Sequence, residues 1–185
     1  MRESHRLGFG THCTAEATIL NRVVSVGYAQ DGRKFVQIEP DARHAELVLQ
    51  DLNLDASGTK TLSTPGFLVD EIELERRKSQ PPLGKAEATK YRSCVMRLAF
   101  LAYERPDLGE VVKTLARQMS SPTPGAMQDL KRVGRYLKGT PYKAVRYYQQ
   151  PLLKKISVYV DSDYASCRLT RKSTTGMVQM VGSPC

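Results

Sequence analysis

Three consecutive segments between residues 89 and 139 repeat apolar side chains at helical spacing, and each segment ends at a proline or glycine. Pro106 limits the first helix near Tyr103 or Glu104, Pro122 closes the second, and Gly139 ends the third. The apolar positions are Tyr91, Val95, Leu98, Ala99 and Ala102; Leu108, Val111, Val112, Leu115 and Met119; and Met127, Leu130, Val133 and Leu137. Because each stripe covers one face only, the pattern predicts three helices that pack together.

Capping signals mark where the second and third helices begin. Asp107 followed by Glu110 has the spacing of a capping box, and Thr123 precedes Pro124 as an N-cap precedes a proline at the first helical position. The sequence therefore predicts helix starts after Asp107 and after Thr123. A free-standing helix-turn-helix module remains an alternative interpretation of the trio.

Strand patterns flank this helical region. Runs from Ile19 to Tyr28 and from Lys34 to Glu39 surround Asp31-Gly32, which is a strong hairpin signal. Asp41 then precedes a helical pattern at residues 42 to 52. Three further strands are predicted in AVRYYQQ, KKISVYVDSDY and STTGMVQMVG, after residue 140. We therefore expect an α+β fold with a hairpin and helix, a three-helix region and closing strands.

Turn-forming and polar residues separate the first helix from the trio. Residues 55 to 88 contain DASGTKTLSTPG and ERRKSQPPLGKAEAT, and we interpret them as an extended connection or linker. The predicted organisation is therefore residues 1–54, the linker 55–88, a helical region 89–140 and a strand region 141–185.

Basic residues are concentrated in one stretch. The 185-residue chain has 28 Lys and Arg against 19 Asp and Glu, a net charge of +9, and no acidic residue lies between 130 and 155. The predicted nucleic-acid-binding residues are Lys131, Arg132, Arg135, Lys138, Lys143, Arg146, Tyr147 and Lys154. Cations interleaved with tyrosines suit contact with a phosphate backbone and stacking on bases. The alternative is a solvated basic face that binds nothing.

Two aspartates follow an apolar strand in YVDSDY. In an extended strand Asp161 and Asp163 share one face with Cα atoms about 6.5 to 7 Å apart, whereas Ile156, Val158 and Val160 share the other. Both aspartates are candidate Mg²⁺ ligands, although one strand supplies only part of a two-metal site. Two alternatives are polar residues at a strand end and a metal-dependent transferase with an Asp-x-Asp motif; no nucleotide-cradling glycine loop accompanies the motif.

Other site classes receive less support from the sequence. The four cysteines lack Cys-x-x-Cys spacing and are expected to be reduced thiols, and His5, His12 and Cys13 have no fourth ligand at a recognisable spacing. The chain has no run of eighteen apolar residues and no apolar signal-peptide core. We expect an intracellular protein, cytoplasmic or nuclear, without a membrane segment.

Three ordered blocks carry a resemblance to a known family. YRSCVMRLAFLAYERPDL, SSPTPGAMQDLKRVGRYLKGT and VDSDYASCRLTRKSTTGMV resemble the Pol polyprotein of copia-type retrotransposons, where reverse transcriptase runs into ribonuclease H. Upstream, DARHAELVLQDLNL followed by STPG is similar to the segment after the polymerase palm. The resemblance implies the end of the palm in residues 1–54, a thumb or connection region in 89–140 and the start of a ribonuclease H-like sheet in 141–185.

This resemblance also implies a chemistry. Asp161 takes the position of the first ribonuclease H carboxylate, in a site where two Mg²⁺ or Mn²⁺ ions hydrolyse the RNA strand of an RNA–DNA hybrid. The chain has Asp163-Tyr164-Ala165-Ser166 where the family usually has Asp-Trp-Ala-Gly. The paired palm aspartates are expected upstream of the first residue, and most ribonuclease H carboxylates after the last.

The resemblance therefore favours a fragment that is inactive by itself and binds no metal ion tightly, whereas the intact parent synthesises DNA on RNA and degrades the hybrid. Its expected partners are an RNA–DNA hybrid or other nucleic acid and the remainder of the polyprotein. The alternative function is a non-catalytic, basic nucleic-acid-binding module.

Overall fold

A computed structural model describes residues 6–67, 69–151, 156–164 and 173–181, and the mixed helix and strand content predicted from the sequence is confirmed. The strands are β1 (Arg6–Leu7), β2 (Cys13–Thr14), β3 (Glu16–Ile19), β4 (Arg22–Tyr28), β5 (Lys34–Glu39), β6 (Val145–Tyr148), β7 (Ile156–Asp163) and β8 (Thr174–Val181). The helices are α1 (Ala42–Asp51), α2 (Glu71–Lys78), α3 (Lys85–Ala102), α4 (Gly109–Ala116) and α5 (Pro124–Gly139), with a 3₁₀ turn at Pro106–Leu108.

The chain divides into two compact units. The first contains Met1–Val26 and Gln37–Val145, and the second contains Gly27–Val36 and Arg146–Cys185. Within the described residues, no helix has both the length and the hydropathy needed to cross a membrane. Cys13 and Cys94, the cysteines that fall within this part of the chain, are free thiols, as the spacing predicts.

Helices α1, α3, α4 and α5 enclose the hydrophobic core of the first unit. The predicted stripes of α3, α4 and α5 supply its fully buried side chains, which include Tyr91, Val95, Leu98, Leu108, Leu115, Leu130, Val133 and Leu137. Helix α1 adds Ala45 and Val48 to the same cluster, and Leu52 joins it directly after the helix. The helical trio therefore shares its core with α1 and does not form a closed bundle by itself.

Thr123 caps α5 as predicted, but Asp107 does not cap α4. The Thr123 hydroxyl accepts a hydrogen bond from the amide of Ala126, and α5 begins at Pro124. At α4 a 3₁₀ turn precedes the helix, and no side chain caps its first turn. The carboxylate of Asp107 instead accepts hydrogen bonds from Arg105 and Tyr136. The predicted capping box is therefore wrong, because buried donors compete for the carboxylate.

Helix α2 lies in the segment that the sequence analysis interpreted as a linker. Asp70 caps this helix by accepting a hydrogen bond from the amide of Glu73. Arg77 forms a bidentate ion pair with Asp129 of α5, with N–O distances of 2.6 and 3.1 Å. Burial raises the pKa of Asp129 and outweighs the opposing effect of Arg77. The sequence of α2 has no apolar stripe at helical spacing, so hydrophobic periodicity does not predict this helix.

The sheet strands follow the order β3-β4-β5-β6. The predicted hairpin between β4 and β5 is confirmed, and Gly32 in its turn adopts a φ of 80° that favours glycine. A second hairpin was missed: Leu20 and Asn21 join β3 to β4 with φ values of 50° and 62°. Leucine is uncommon in this conformation, so the run from Ile19 to Tyr28 resembles one continuous strand.

Strands β7 and β8 form an antiparallel hairpin, and the strand predictions after residue 140 are confirmed. The register pairs Ile156 with Val181 at one end and Asp161 with Gly176 near the other. Val158 and Val160 are exposed in this hairpin. An apolar strand pattern therefore does not place these side chains in a core.

Gly134 of α5 lies directly against the chain that follows α1, and a larger residue should destabilise the first unit. A Cβ atom at Gly134 would lie 2.6 Å from Leu54 Cδ1 and 3.2 Å from Leu52 Cδ1. We expect Gly134→Val to lower the free energy of unfolding by about 1–3 kcal/mol through overpacking, measured by urea denaturation. Gly109→Val is the matched control because no atom lies within 4 Å of that Cβ, and it should cost less than about 0.5 kcal/mol. Equal losses in the two variants would contradict this explanation.

Candidate nucleic-acid interface

Helix α5 separates an apolar face from a basic one. Leu130, Val133 and Leu137 are buried, whereas Lys131 is exposed. The helical periodicity causes this separation, since residues three and four apart lie on the same side. Lys131, Arg132, Arg135 and Lys138 all lie on this helix, as the sequence predicts.

Two of the predicted cations bind the backbone of the connection after α1. The Lys138 ammonium donates hydrogen bonds to the carbonyl oxygens of Leu54, at 3.1 Å, and of Ala56. Arg132 Nε donates to the carbonyl of Gly66 at 2.9 Å. These contacts hold the connection against α5, so the two side chains have a structural role that the charge pattern did not reveal.

Lys143, whose side chain is exposed, joins a partly buried polar network at the end of α5. Its ammonium donates to the Tyr136 hydroxyl at 3.1 Å, and that hydroxyl donates to Asp107 Oδ2 at 2.5 Å. Arg105 is only 2% exposed and donates to both Asp107 oxygens, at 3.0 and 2.9 Å, and to the Thr140 carbonyl at 2.8 Å. The network ties the 3₁₀ turn to the end of α5.

The network also sets the charge state of Asp107. Burial alone would raise the pKa of this carboxyl group, but the hydrogen bonds from Arg105 and Tyr136 outweigh burial and lower the pKa from 3.8 to about 2. The positive charges of Arg105 and Lys143 act in the same direction. Asp107 is therefore charged at neutral pH and balances part of the positive charge around it.

The remaining predicted residues belong to the second unit or lie outside the described residues. Arg146 and Tyr147 are neighbours on β6, so they point to opposite faces of the strand, and both are exposed. Lys154 lies outside the described residues. The structure thus brings four of the predicted cations together on α5 and places Lys143 after that helix.

Asp161 and Asp163 lie on β7 opposite Gly176 and Thr174, respectively. The side chain of Asp161 is exposed. Among the described residues no group of three or more His, Cys, Asp and Glu side chains could hold a metal ion, and His5 lies outside them. Asp161 offers one described carboxylate, whereas a two-metal site requires several. The described residues of β7 alone therefore do not form a two-metal site.

The low pKa of Asp107 predicts a loss of stability in acid. Its carboxylate contributes stability above the unfolded-state pKa of 3.8, and this contribution is lost as the pH falls from about 4 towards about 2. Urea denaturation of the wild type and of Asp107→Asn at about pH 6 and about pH 3 should show the stability difference shrinking at the lower pH. Tyr136→Phe removes one hydrogen bond to the carboxylate and should reduce the pH dependence. A stability difference that is the same at both pH values would contradict this assignment.

The chain is similar to several plant proteins, which include two Pol polyproteins from transposons. It is 31% identical over 140 residues to the uncharacterized mitochondrial protein AtMg00810 of Arabidopsis thaliana, a match that covers 76% of this chain and 55% of that protein. It is 34% identical over 96 residues to the retrovirus-related Pol polyprotein from transposon RE1 of Arabidopsis thaliana, and 35% identical over 123 residues to that from transposon RE2. These two matches cover 52% and 66% of this chain.

The chain corresponds to a small part of the polyproteins. It spans about half the length of the mitochondrial relative and only 6% and 8% of the polyproteins from RE1 and RE2. No protein-family model and no solved structure matches it. The polyprotein matches agree with the resemblance carried by the three sequence blocks, and the chain therefore belongs to the family of retrovirus-related Pol polyproteins of copia-type retrotransposons.

Proposed function

We propose that this chain is the section of a Pol polyprotein that links the end of the reverse transcriptase palm to the start of ribonuclease H, and that it binds nucleic acid. The observation that carries the proposal is the arrangement of α5, which buries Leu130, Val133 and Leu137 while Lys131 remains exposed. A helix fixed in a core on one side can present cations to a phosphate backbone on the other.

The proposed parts follow the sequence boundaries. Residues 1–54 are the end of the palm, 55–88 a linker, 89–140 a thumb or connection region, and 141–185 the start of a ribonuclease H-like domain. The helices α3 to α5 and the β7–β8 hairpin support this order, since both the helical segment and the later strands occur where the resemblance requires them.

In the intact polyprotein we propose that these parts act in RNA-directed DNA synthesis and in hydrolysis of the RNA strand of the hybrid. Asp161, with Asp163, would be a ligand for Mg²⁺ or Mn²⁺, and such ions supply activated water and stabilise the leaving oxygen. The remainder of the polyprotein would complete the site. We propose that this chain by itself catalyses neither reaction, because Asp161 provides one described carboxylate where several are needed.

The cations differ in how available they are to a ligand. Lys138 and Arg132 already hold backbone carbonyls, whereas Lys131 is exposed. The Lys143 side chain is 53% exposed, although its ammonium also donates to the Tyr136 hydroxyl. About three phosphate contacts are therefore expected from the first unit, made by Lys131, Lys143 and Arg135. A site of this kind binds through charge and does not select a base sequence.

Binding to an RNA–DNA hybrid should fall steeply with salt. For three contacts the slope of log Kobs against log salt concentration should be about −2.7, measured by fluorescence anisotropy from about 50 to about 200 mM salt. Lys131→Ala should reduce the magnitude of the slope by about 1. Lys85→Ala is the matched control, since Lys85 is an exposed lysine on α3 outside the basic stretch. Absence of binding at low salt would overturn the proposal.

The isolated chain should show no turnover in primer extension or hybrid cleavage with Mg²⁺ or Mn²⁺. Asp161→Ala serves as the diagnostic variant because it removes the candidate ligand without changing a buried side chain. Neither the wild type nor Asp161→Ala should yield more extended primer or cleaved hybrid than a reaction without protein. Cleavage by the wild type that disappears in Asp161→Ala would contradict the inactivity of the chain.

A further inference from the structure

Two aromatic rings from distant parts of the sequence meet on one face of the sheet in the second unit. Phe35 of β5 and Tyr148 of β6 lie with ring centroids 6.0 Å apart and ring planes at 67°, an edge-to-face arrangement. Gly27 of β4 allows the Phe35 ring to lie close to the backbone, since a Cβ there would be 2.9 Å from Phe35 Cζ. Both rings are half-buried, so their positions are fixed.

An arginine lies over each of these rings. The guanidinium carbon of Arg33 is 4.7 Å from the centroid of Tyr148, and that of Arg146 is 4.7 Å from the centroid of Phe35. Both arginines are exposed. We call these four residues, in the order Arg33, Tyr148, Phe35 and Arg146, the arginine–aromatic ladder.

Asp31 fixes the outer arginine further. Its carboxylate accepts hydrogen bonds from Arg33 Nε at 2.6 Å and from the Arg33 amide at 3.1 Å. The hydrogen bond from the Arg33 amide, followed by the one from its side chain, lowers the pKa of Asp31 below its usual value. Arg33 is therefore oriented both by the ring beneath its guanidinium and by the carboxylate beside it.

A guanidinium held over an aromatic ring is suited to bind an unpaired base. The planar cation stacks on aromatic surfaces, and its N–H groups at the edge can donate to phosphate oxygens. Bases in a duplex are stacked inside the helix and do not expose their faces, whereas single-stranded bases do. Lysine carries the same charge but has no planar group to stack.

We infer that the arginine–aromatic ladder is a stacking surface for single-stranded RNA or DNA. This inference rests on the proposed nucleic-acid binding and deepens it, because it adds Arg33 and Phe35, which lie outside the basic stretch, and specifies an unpaired strand as the ligand. The positive charge of the two guanidinium groups matches a phosphate backbone, and the two rings of the ladder lie on the neighbouring strands β5 and β6.

The test compares a single strand with a duplex. Binding of a fluorescent oligouridylate of about ten nucleotides and of an RNA–DNA hybrid of the same length is measured by anisotropy at about 200 mM salt, where phosphate contacts are weakened. The double variant Arg33→Lys with Arg146→Lys keeps the charge and removes the planar groups. We expect roughly tenfold weaker binding of the single strand and less than about twofold change for the hybrid.

The matched control is Arg76→Lys on α2. Arg76 is exposed and paired with Glu73, much as Arg33 is paired with Asp31, but it lies over no ring of the ladder. This variant should bind both probes like the wild type. Phe35→Leu and Tyr148→Leu remove the rings beneath the cations and should also weaken single-strand binding, with circular dichroism checking that the chain remains folded.

The outcomes separate this inference from the proposed function. If the wild type binds neither probe at low salt, both fail. If the wild type binds but the double lysine variant is unchanged, or loses affinity for both probes equally, the stacking surface is overturned and the proposed function stands. Selective loss for the single strand supports the stacking surface.

Discussion

Burial of one face of α5 is the interaction on which the rest of the first unit depends. Because Leu130, Val133 and Leu137 are buried in the core, the other sides of α5 are held in place and can bind neighbouring segments. Asp129 receives Arg77 from α2, and the backbone after α1 is held by Arg132 and Lys138. One amphipathic helix thus makes charged contacts with both segments. The connection after α1 also packs Leu54, Leu62 and Phe67 against the core, so its charged contacts act together with apolar ones.

The sequence predicted those elements whose signals are local. Thr123 and Pro124 define the start of α5 because a hydroxyl cap and a proline act within one helical turn. Asp107 carries the same kind of signal, but the buried Arg105 and Tyr136 bind its carboxylate, and this competition depends on tertiary contacts. Helix α2 and the turn at Leu20-Asn21 were missed for related reasons. A long-range ion pair between Arg77 and Asp129 holds α2, and the turn places a leucine in a conformation that its propensity disfavours.

The candidate interface shows the same limit. The charge pattern predicted the basic stretch and Arg146. It could not distinguish the exposed Lys131 from Lys138, which binds backbone carbonyl groups. It also gave no indication of Arg33 or Phe35, since both lie far from β6 in the sequence. Which cations are available to a ligand is decided by the folded backbone. The aspartates of β7 remain a prediction that rests on strand position and family resemblance.

The arginine–aromatic ladder joins β5 to β6 across the whole helical segment of the chain. Contacts between such distant positions carry a large entropic cost of loop closure, and folding rates fall as contacts of this kind become more dominant. The helices between the two strands, in contrast, form through contacts that are close in sequence. In kinetic terms, pairing β5 with β6 is therefore the slow kind of step that long-range strand contacts impose on folding.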